Sequence, residues 1–302
     1  MANVIAVIWD CDKTLIDGYM QDPIFEEYKI DSKKFWRDVN GEVEEYTAKG
    51  IRVNKDTYYL NYFIRAAHEG MFPGLNNAKL HEFGKQQKFY KGVPEIFDRT
   101  REMVNGNPKY SEFGIKVEHY IVSTGFAELI RGSILNDYVE GIWGCELIDA
   151  PDENGEMLIN EVVYTIDNTT KTRAIFEINK GKGIDVNAKI PREMRRAQFK
   201  NMIYIADGPS DIPAFSLVDQ MDGSTFAIYP RGDVEAMKQV EEMRATKRVN
   251  MYAEADYSEG TTADLWIRNK ITEIADKIVK EKHEQIKNST SGTPKHLENI
   301  QR

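Results

Sequence analysis

Two pairs of aspartates stand out for the chemistry they could share. Asp10 and Asp12 lie in Trp9-Asp10-Cys11-Asp12-Lys13-Thr14-Leu15, the only D-x-D of the chain. Positions i and i+2 of an extended backbone project to one side, so both carboxylates can face one space while Cys11 turns away. Two such charges about 4 Å apart repel by roughly 4 kcal/mol at an effective dielectric near 20. Both stay ionised only beside a cation; otherwise one takes up a proton. The pattern therefore offers a metal site or a carboxylate beside a carboxylic acid, against the plainer reading of two acids at a strand-end turn. The second pair follows in Asp207-Gly208-Pro209-Ser210-Asp211. Asp211 could merely cap the next helix, with Pro213 in its first turn, but that leaves Asp207 unexplained. Ser123-Thr124-Gly125 adds hydroxyls and a flexible backbone where an anion could be held, although a serine there is also ordinary turn chemistry.

Each group follows a short apolar run that reads as a buried strand. Val4–Trp9 leads into Asp10, residues 117–122 into Ser123, and Met202–Ala206 into Asp207. Further strands are predicted at 142–147, 225–229 and 249–253, with helical patterns such as 94–104 and 234–243 between most of them. That alternation predicts an α/β fold, a Rossmann-like, mostly parallel sheet flanked by helices. In such sheets ligands sit beyond the carboxyl ends of the strands, where these residues lie.

The stretch 18–89 differs. Tyr59, Tyr62, Phe63, Ala66 and Ala67 keep the spacing of one helical face, and helical patterns at Ser32–Ala48 and 76–87 flank it. An all-helical segment inserted into a core of 1–17 and 90–287 is expected. A hairpin-like flap is expected over 145–166, around Pro151-Asp152-Glu153-Asn154-Gly155. Ile267, Ile271, Ile274 and Ile278 mark a last amphipathic helix, and the polar stretch 288–302 is expected as a disordered tail.

Taken together, the three strand ends resemble the haloacid dehalogenase-like hydrolase superfamily. Its first motif, a hydrophobic strand then D-x-D-x-T-L, matches through Leu15; its second, a strand ending in Ser or Thr, matches at Ser123. Its fourth, G-D-x-x-x-D, matches with Ala206 in place of the glycine, and its lysine is assigned to Lys171, with Lys180 and Lys182 as alternatives. The resemblance implies a phosphatase of small phosphorylated metabolites, with Asp10 as nucleophile forming an aspartyl-phosphate and Asp12 as general acid and base. It further implies Mg²⁺ on the Asp10 side chain, the Asp12 backbone carbonyl and Asp207, with Asp211 binding it directly or through another ligand, and phosphoryl oxygens held by Ser123, Thr124 and Lys171. Hard oxygen donors suit Mg²⁺ better than zinc. An acid at position 12 favours an oxygen leaving group over a halide. A phosphotransferase or mutase of the same superfamily, or a catalytically silent phospho-ligand-binding protein, are the alternative readings. The helical cap and the flap resemble the phosphoserine phosphatase branch, but that branch's substrate-binding glutamate has no counterpart in Ile16-Asp17-Gly18-Tyr19-Met20-Gln21. The cap aromatics are expected in the cap's own core, and Arg65 as a solvated charge rather than a substrate ligand.

Composition excludes other classes. Forty Lys and Arg against 49 Asp and Glu give a formal charge of −9, the wrong sign for tracking a nucleic-acid backbone. No run approaches the 18 apolar residues of a membrane span, and the apolar run before Asp10 lacks the length and the preceding basic residue of a signal peptide. Two distant cysteines, Cys11 and Cys145, form no disulfide framework, so a reduced, cytoplasmic chain is expected. Cys11 lacks the arginine six positions on that a cysteine phosphatase needs, Asp17 standing there instead. Zinc-protease, Walker and G-x-G-x-x-G patterns do not occur.

Overall fold

Six consecutive apolar side chains build the first strand, and all six are buried, which a strand can sustain only when both faces of the sheet are covered. The computed structural model describes residues 3–181 and 183–290. After β1 (Val4–Trp9) come four helices, α1 (Asp22–Tyr28), α2 (Ser32–Ala48), α3 (Lys55–His68) and α4 (Asn77–Gly84), then α5 (Glu95–Asn105) and the single turn α6 (Pro108–Ser111). β2 (Lys116–Phe126), α7 (Ala127–Gly132), β3 (Gly141–Pro151), β4 (Met157–Tyr164) and α8 (Lys171–Lys180) follow. The chain continues through β5 (Met202–Ala206), α9 (Ile212–Gln220), β6 (Ser224–Tyr229), α10 (Val234–Ala245) and β7 (Met251–Glu254) to α11 (Thr262–Thr290).

The seven strands form one sheet in the order β4-β3-β2-β1-β5-β6-β7. All neighbours run parallel except β3 and β4. The predicted α/β fold is therefore present, with β1 at the centre and helices such as α5, α9 and α11 against the sheet. Several boundaries differ. β2 runs on through Ser123 to Phe126, and Val122 faces Trp143 while Phe126 faces Cys145, so two extra residues bulge out where the polar motif lies. The expected strand at 142–147 and the first arm of the flap are one continuous strand, β3, which changes partner from β2 to β4 along its length. β7 begins at Met251 rather than 249. α11 continues to Thr290, so residues 288–290 of the expected tail are helical; 291–302 lie outside the described residues.

The helices between β1 and β2 are tied to the rest at several points. α4 lies so close to α7 that a Cβ on Gly132 would come 1.9 Å from the His81 carbonyl oxygen, and one on Gly84 would come 2.3 Å from that of Leu129. Past α3, the Leu75 carbonyl accepts the Ile159 amide of β4 at 2.9 Å.

Candidate functional site

The ladder between β1 and β5 places the two aspartate motifs side by side. Trp9 pairs with Ile205, and the amide of Asp10 donates to the Ile205 carbonyl at 2.9 Å, so pairing reaches the first motif residue. Ser123, buried on the opposite neighbour β2, stands two residues past Ile121, which also pairs with Trp9. Parallel register thus brings three chain segments to one end of the sheet.

Lys171 joins them from α8. It is the first residue of that helix and is 1% exposed. The ammonium lies 2.8 Å from Asp10 Oδ1 and 2.6 Å from Asp211 Oδ1. Among the alternatives, Lys180 donates to the carbonyls of Val186 and Ala188 elsewhere, and Lys182 lies outside the described residues. Asp211 sits at the N-cap position of α9 yet makes no capping bond. Its Oδ1 instead also accepts the Tyr204 hydroxyl at 2.5 Å, and its Oδ2 that of Ser210 at 2.9 Å. Helix capping does not account for this aspartate.

Carboxylate oxygens of Asp10, Asp207 and Asp211 lie within 4.8 Å of one another, an all-oxygen set of the kind a hard divalent cation prefers. One buried ammonium faces these charges and that of Asp12. Burial outweighs Lys171 at Asp10 and lifts its carboxyl to about 6; burial and Asp10 lift Asp207 to about 7. Asp12 is raised furthest, to about 8, by burial and then by the Asp10 charge. Its Oδ1 accepts the Met20 amide at 2.8 Å, which fixes its orientation. Lys171 is pushed up, because Asp10 and Asp211 more than offset its burial. At neutral pH the first motif thus holds a mostly ionised Asp10 beside a mostly protonated Asp12. Donors of this type and charge fit a bound Mg²⁺.

The hydroxyl oxygen of Ser123 accepts the Gly125 amide at 3.1 Å, leaving its proton to donate elsewhere. Thr124 presents its backbone differently: its carbonyl accepts the Tyr59 hydroxyl at 2.7 Å and the Cys145 thiol at 3.3 Å. Arg65 pairs with Glu42 at 2.5 Å, away from these groups. Tyr59 has a second role beyond the packing expected of it, because it also lines a cavity of about 450 Å³ beside Asp12. Trp36, Asp56 and Gln21 line that cavity too, and sequence reading singled out none of them. Tyr204 was missed as well: in the sequence it is one apolar-strand residue among five.

No protein-family model matches the sequence. An uncharacterized protein of Borreliella burgdorferi is 38% identical over 283 residues, 89% of this chain and 97% of that protein, and the two belong to one family. A HAD family hydrolase of Salmonella enterica serovar Typhi superposes with a TM-score of 0.50 at 13% identity, over 83% of this chain and 67% of that one. In this chain that fold carries a D-x-D at the end of β1, met there by Lys171 and by Asp207 and Asp211. The chain has the fold of a haloacid dehalogenase-like hydrolase. A substrate-bound phosphoserine phosphatase superposes at a TM-score of 0.48 and 15% identity, over 86% of this chain and 97% of that one.

Proposed function

We propose that this chain is a magnesium-dependent phosphatase that hydrolyses a small phosphomonoester through an aspartyl-phosphate on Asp10. The observation that carries the reading is the buried Lys171 ammonium held between Asp10 and Asp211, beside Asp207 and Asp12. A phosphate dianion can enter such a cluster of acids only where fixed positive charge offsets it. Mg²⁺, held by Asp10, Asp207 and the Asp12 carbonyl, would supply the larger part of that charge. Asp211, with both oxygens already hydrogen-bonded, holds Lys171 in place.

In the first step an Asp10 oxygen attacks phosphorus, and the bond from phosphorus to the ester oxygen breaks. Asp12 gives its proton to the departing oxygen, the role for which a raised carboxyl is suited. In the second, the Asp12 carboxylate takes a proton from water as that water attacks phosphorus, freeing phosphate and the Asp10 carboxylate. Lys171 and the Ser123 hydroxyl bind the phosphoryl oxygens; in this reading Thr124 lines the substrate cavity. The helices α1 to α4 act as a cap that excludes water. The reading keeps the enzyme in the cytoplasm, and two free buried thiols are in keeping with that; no helix of the described residues is long and apolar enough to cross a membrane.

The test is turnover of p-nitrophenyl phosphate with and without Mg²⁺, with release of inorganic phosphate measured. Metal-dependent hydrolysis that disappears in Asp10→Asn, and a beryllium trifluoride adduct on Asp10, are the expected results. An adduct on another residue, or no turnover of any phosphomonoester, would overturn the reading.

A further inference from the structure

Tyr204 is the one residue of β5 with a side-chain hydroxyl, and it is fully buried. In a strand covered on both faces a phenylalanine would fill the same space, so packing does not call for the oxygen. The hydroxyl proton goes to Asp211 Oδ1, 2.5 Å away, the same oxygen that takes the Lys171 ammonium at 2.6 Å. Asp211 ends the short turn Pro209–Asp211 between β5 and α9, outside the sheet. The tyrosine itself is fixed independently of that bond. Its backbone pairs with Ile8 on one side and Thr225 on the other, and its ring meets that of Phe215 in α9 edge-on at 5.4 Å.

The pairing with Ile8 bears on Lys171. Asp10 follows Ile8 by two residues, so both anchors of the ammonium are referred to one rung of one ladder, Asp10 through the chain and Asp211 through the Tyr204 hydroxyl. An ammonium carries three hydrogens. Asp10 and Asp211 take two, and no other described residue accepts from it, so these two carboxylates set the direction of the third. Where the electrostatic gain comes from donors aimed before the reaction, that direction is what the lysine contributes. With the hydroxyl removed, Asp211 Oδ1 has Lys171 as its sole side-chain donor, and the carboxylate is free to turn with the lysine instead of holding it.

We propose that Tyr204 is a positioning residue of this site: its hydroxyl fixes Asp211 against the sheet and so aims the remaining N–H of Lys171 at the phosphoryl group. The proposal rests on the phosphatase reading for the identity of that group. Tyr204 acts through Asp211 and does not itself meet the substrate.

Tyr204→Phe removes the oxygen and keeps the ring. With Mg²⁺ and p-nitrophenyl phosphate, at a temperature where circular dichroism shows both proteins folded, its kcat/KM is expected about tenfold below wild type, the loss of one well-aligned charged hydrogen bond. A tyrosine that served stability alone would lower the Tm and leave kcat/KM at that temperature unchanged. The effect should also disappear with its intermediary. In an Asp211→Asn background, Tyr204→Phe should change kcat/KM less than twofold, because effects that act through one group do not multiply; a full tenfold loss there would overturn the proposal. Calorimetric binding of inorganic phosphate needs no turnover and should weaken about tenfold in Tyr204→Phe. Equal kcat/KM and equal phosphate affinity in the two proteins would overturn the proposal and leave the phosphatase reading intact. Tenfold weaker phosphate binding in a protein that hydrolyses no ester would support the proposal and overturn that reading.

Discussion

Chelating divalent cations should make the stability of this protein fall as pH rises. Burial and the Asp10 charge hold the Asp207 carboxyl at about 7 in the folded, metal-free site, against 3.8 for an ordinary aspartate. Asp12 is held at about 8 in the same way. Between pH 4 and 8 the folded protein keeps protons that the unfolded chain has already released. The contribution of these groups is therefore fully present below about pH 4 and is lost as pH climbs through 7 and 8. For Asp207 alone the difference is on the order of 4 kcal/mol, roughly 5–10 °C in Tm for a chain of this length. A divalent cation that needs ionised carboxylates pulls the other way, and more strongly at high pH. The assay is differential scanning calorimetry of chelated protein from pH 5.5 to 8.5, repeated with Mg²⁺. The Tm should decline with pH when chelated, and the Mg²⁺-induced rise should be larger at pH 8 than at 5.5. Asp207→Asn cannot titrate and also relieves Asp12, which the Asp207 charge helps to raise, so both trends should flatten in it. A chelated Tm that is no lower at pH 8 than at 5.5 relative to that variant, or a Mg²⁺ shift independent of pH, would refute the reasoning.

Three further outcomes follow from the same geometry. Lys171→Met leaves the buried charges of Asp10 and Asp211 unpaired and should cost about 3–5 kcal/mol in denaturant unfolding, with turnover reduced by at least a hundredfold; wild-type stability in this variant would remove the lysine from the argument. Asp12→Asn should slow the first step, release of the alcohol in a single turnover, by about 10²–10⁴-fold for an alkyl phosphate and far less for p-nitrophenyl phosphate, because the aryl leaving group needs no proton, while hydrolysis of the shared aspartyl-phosphate slows alike for both; equal losses in the first step would point away from Asp12 as the acid. Gly132→Ala drives a methyl against the His81 carbonyl and should cost about 1–3 kcal/mol, read as a lowered Tm, whereas an unchanged Tm would mean that α4 moves away from α7 freely.

Much of the candidate site was legible because its signals are local. A run of buried apolar residues ending in Asp-x-Asp, or in Asp207 and Asp211, specifies a strand and what lies at its carboxyl end, and parallel pairing then has few ways to arrange such ends. Lys171 was legible as one of three choices only: nothing along the chain distinguishes a lysine whose ammonium turns inward from Lys180, which meets two backbone carbonyls. Gln21 carried no signal at all. Its place in a cavity wall is set by α2 and α3, whose Trp36 and Tyr59 line the same space only in the folded chain. The length of β2 was misread for a related reason, since the bulge at 123–125 is defined by the register of β3 rather than by any residue of β2.

The sequence by itself determined the α/β class, the first strand and the four aspartates, because hydrophobic period and strand-end chemistry are written within a few adjacent residues. Tertiary structure alone decided which lysine neutralises them, that Asp211 binds that lysine instead of capping its helix, and which side chains wall the cavity beside Asp12. Those outcomes depend on packing between segments 40 to 160 positions apart, where burial sets the energy of each charge and no local pattern records it.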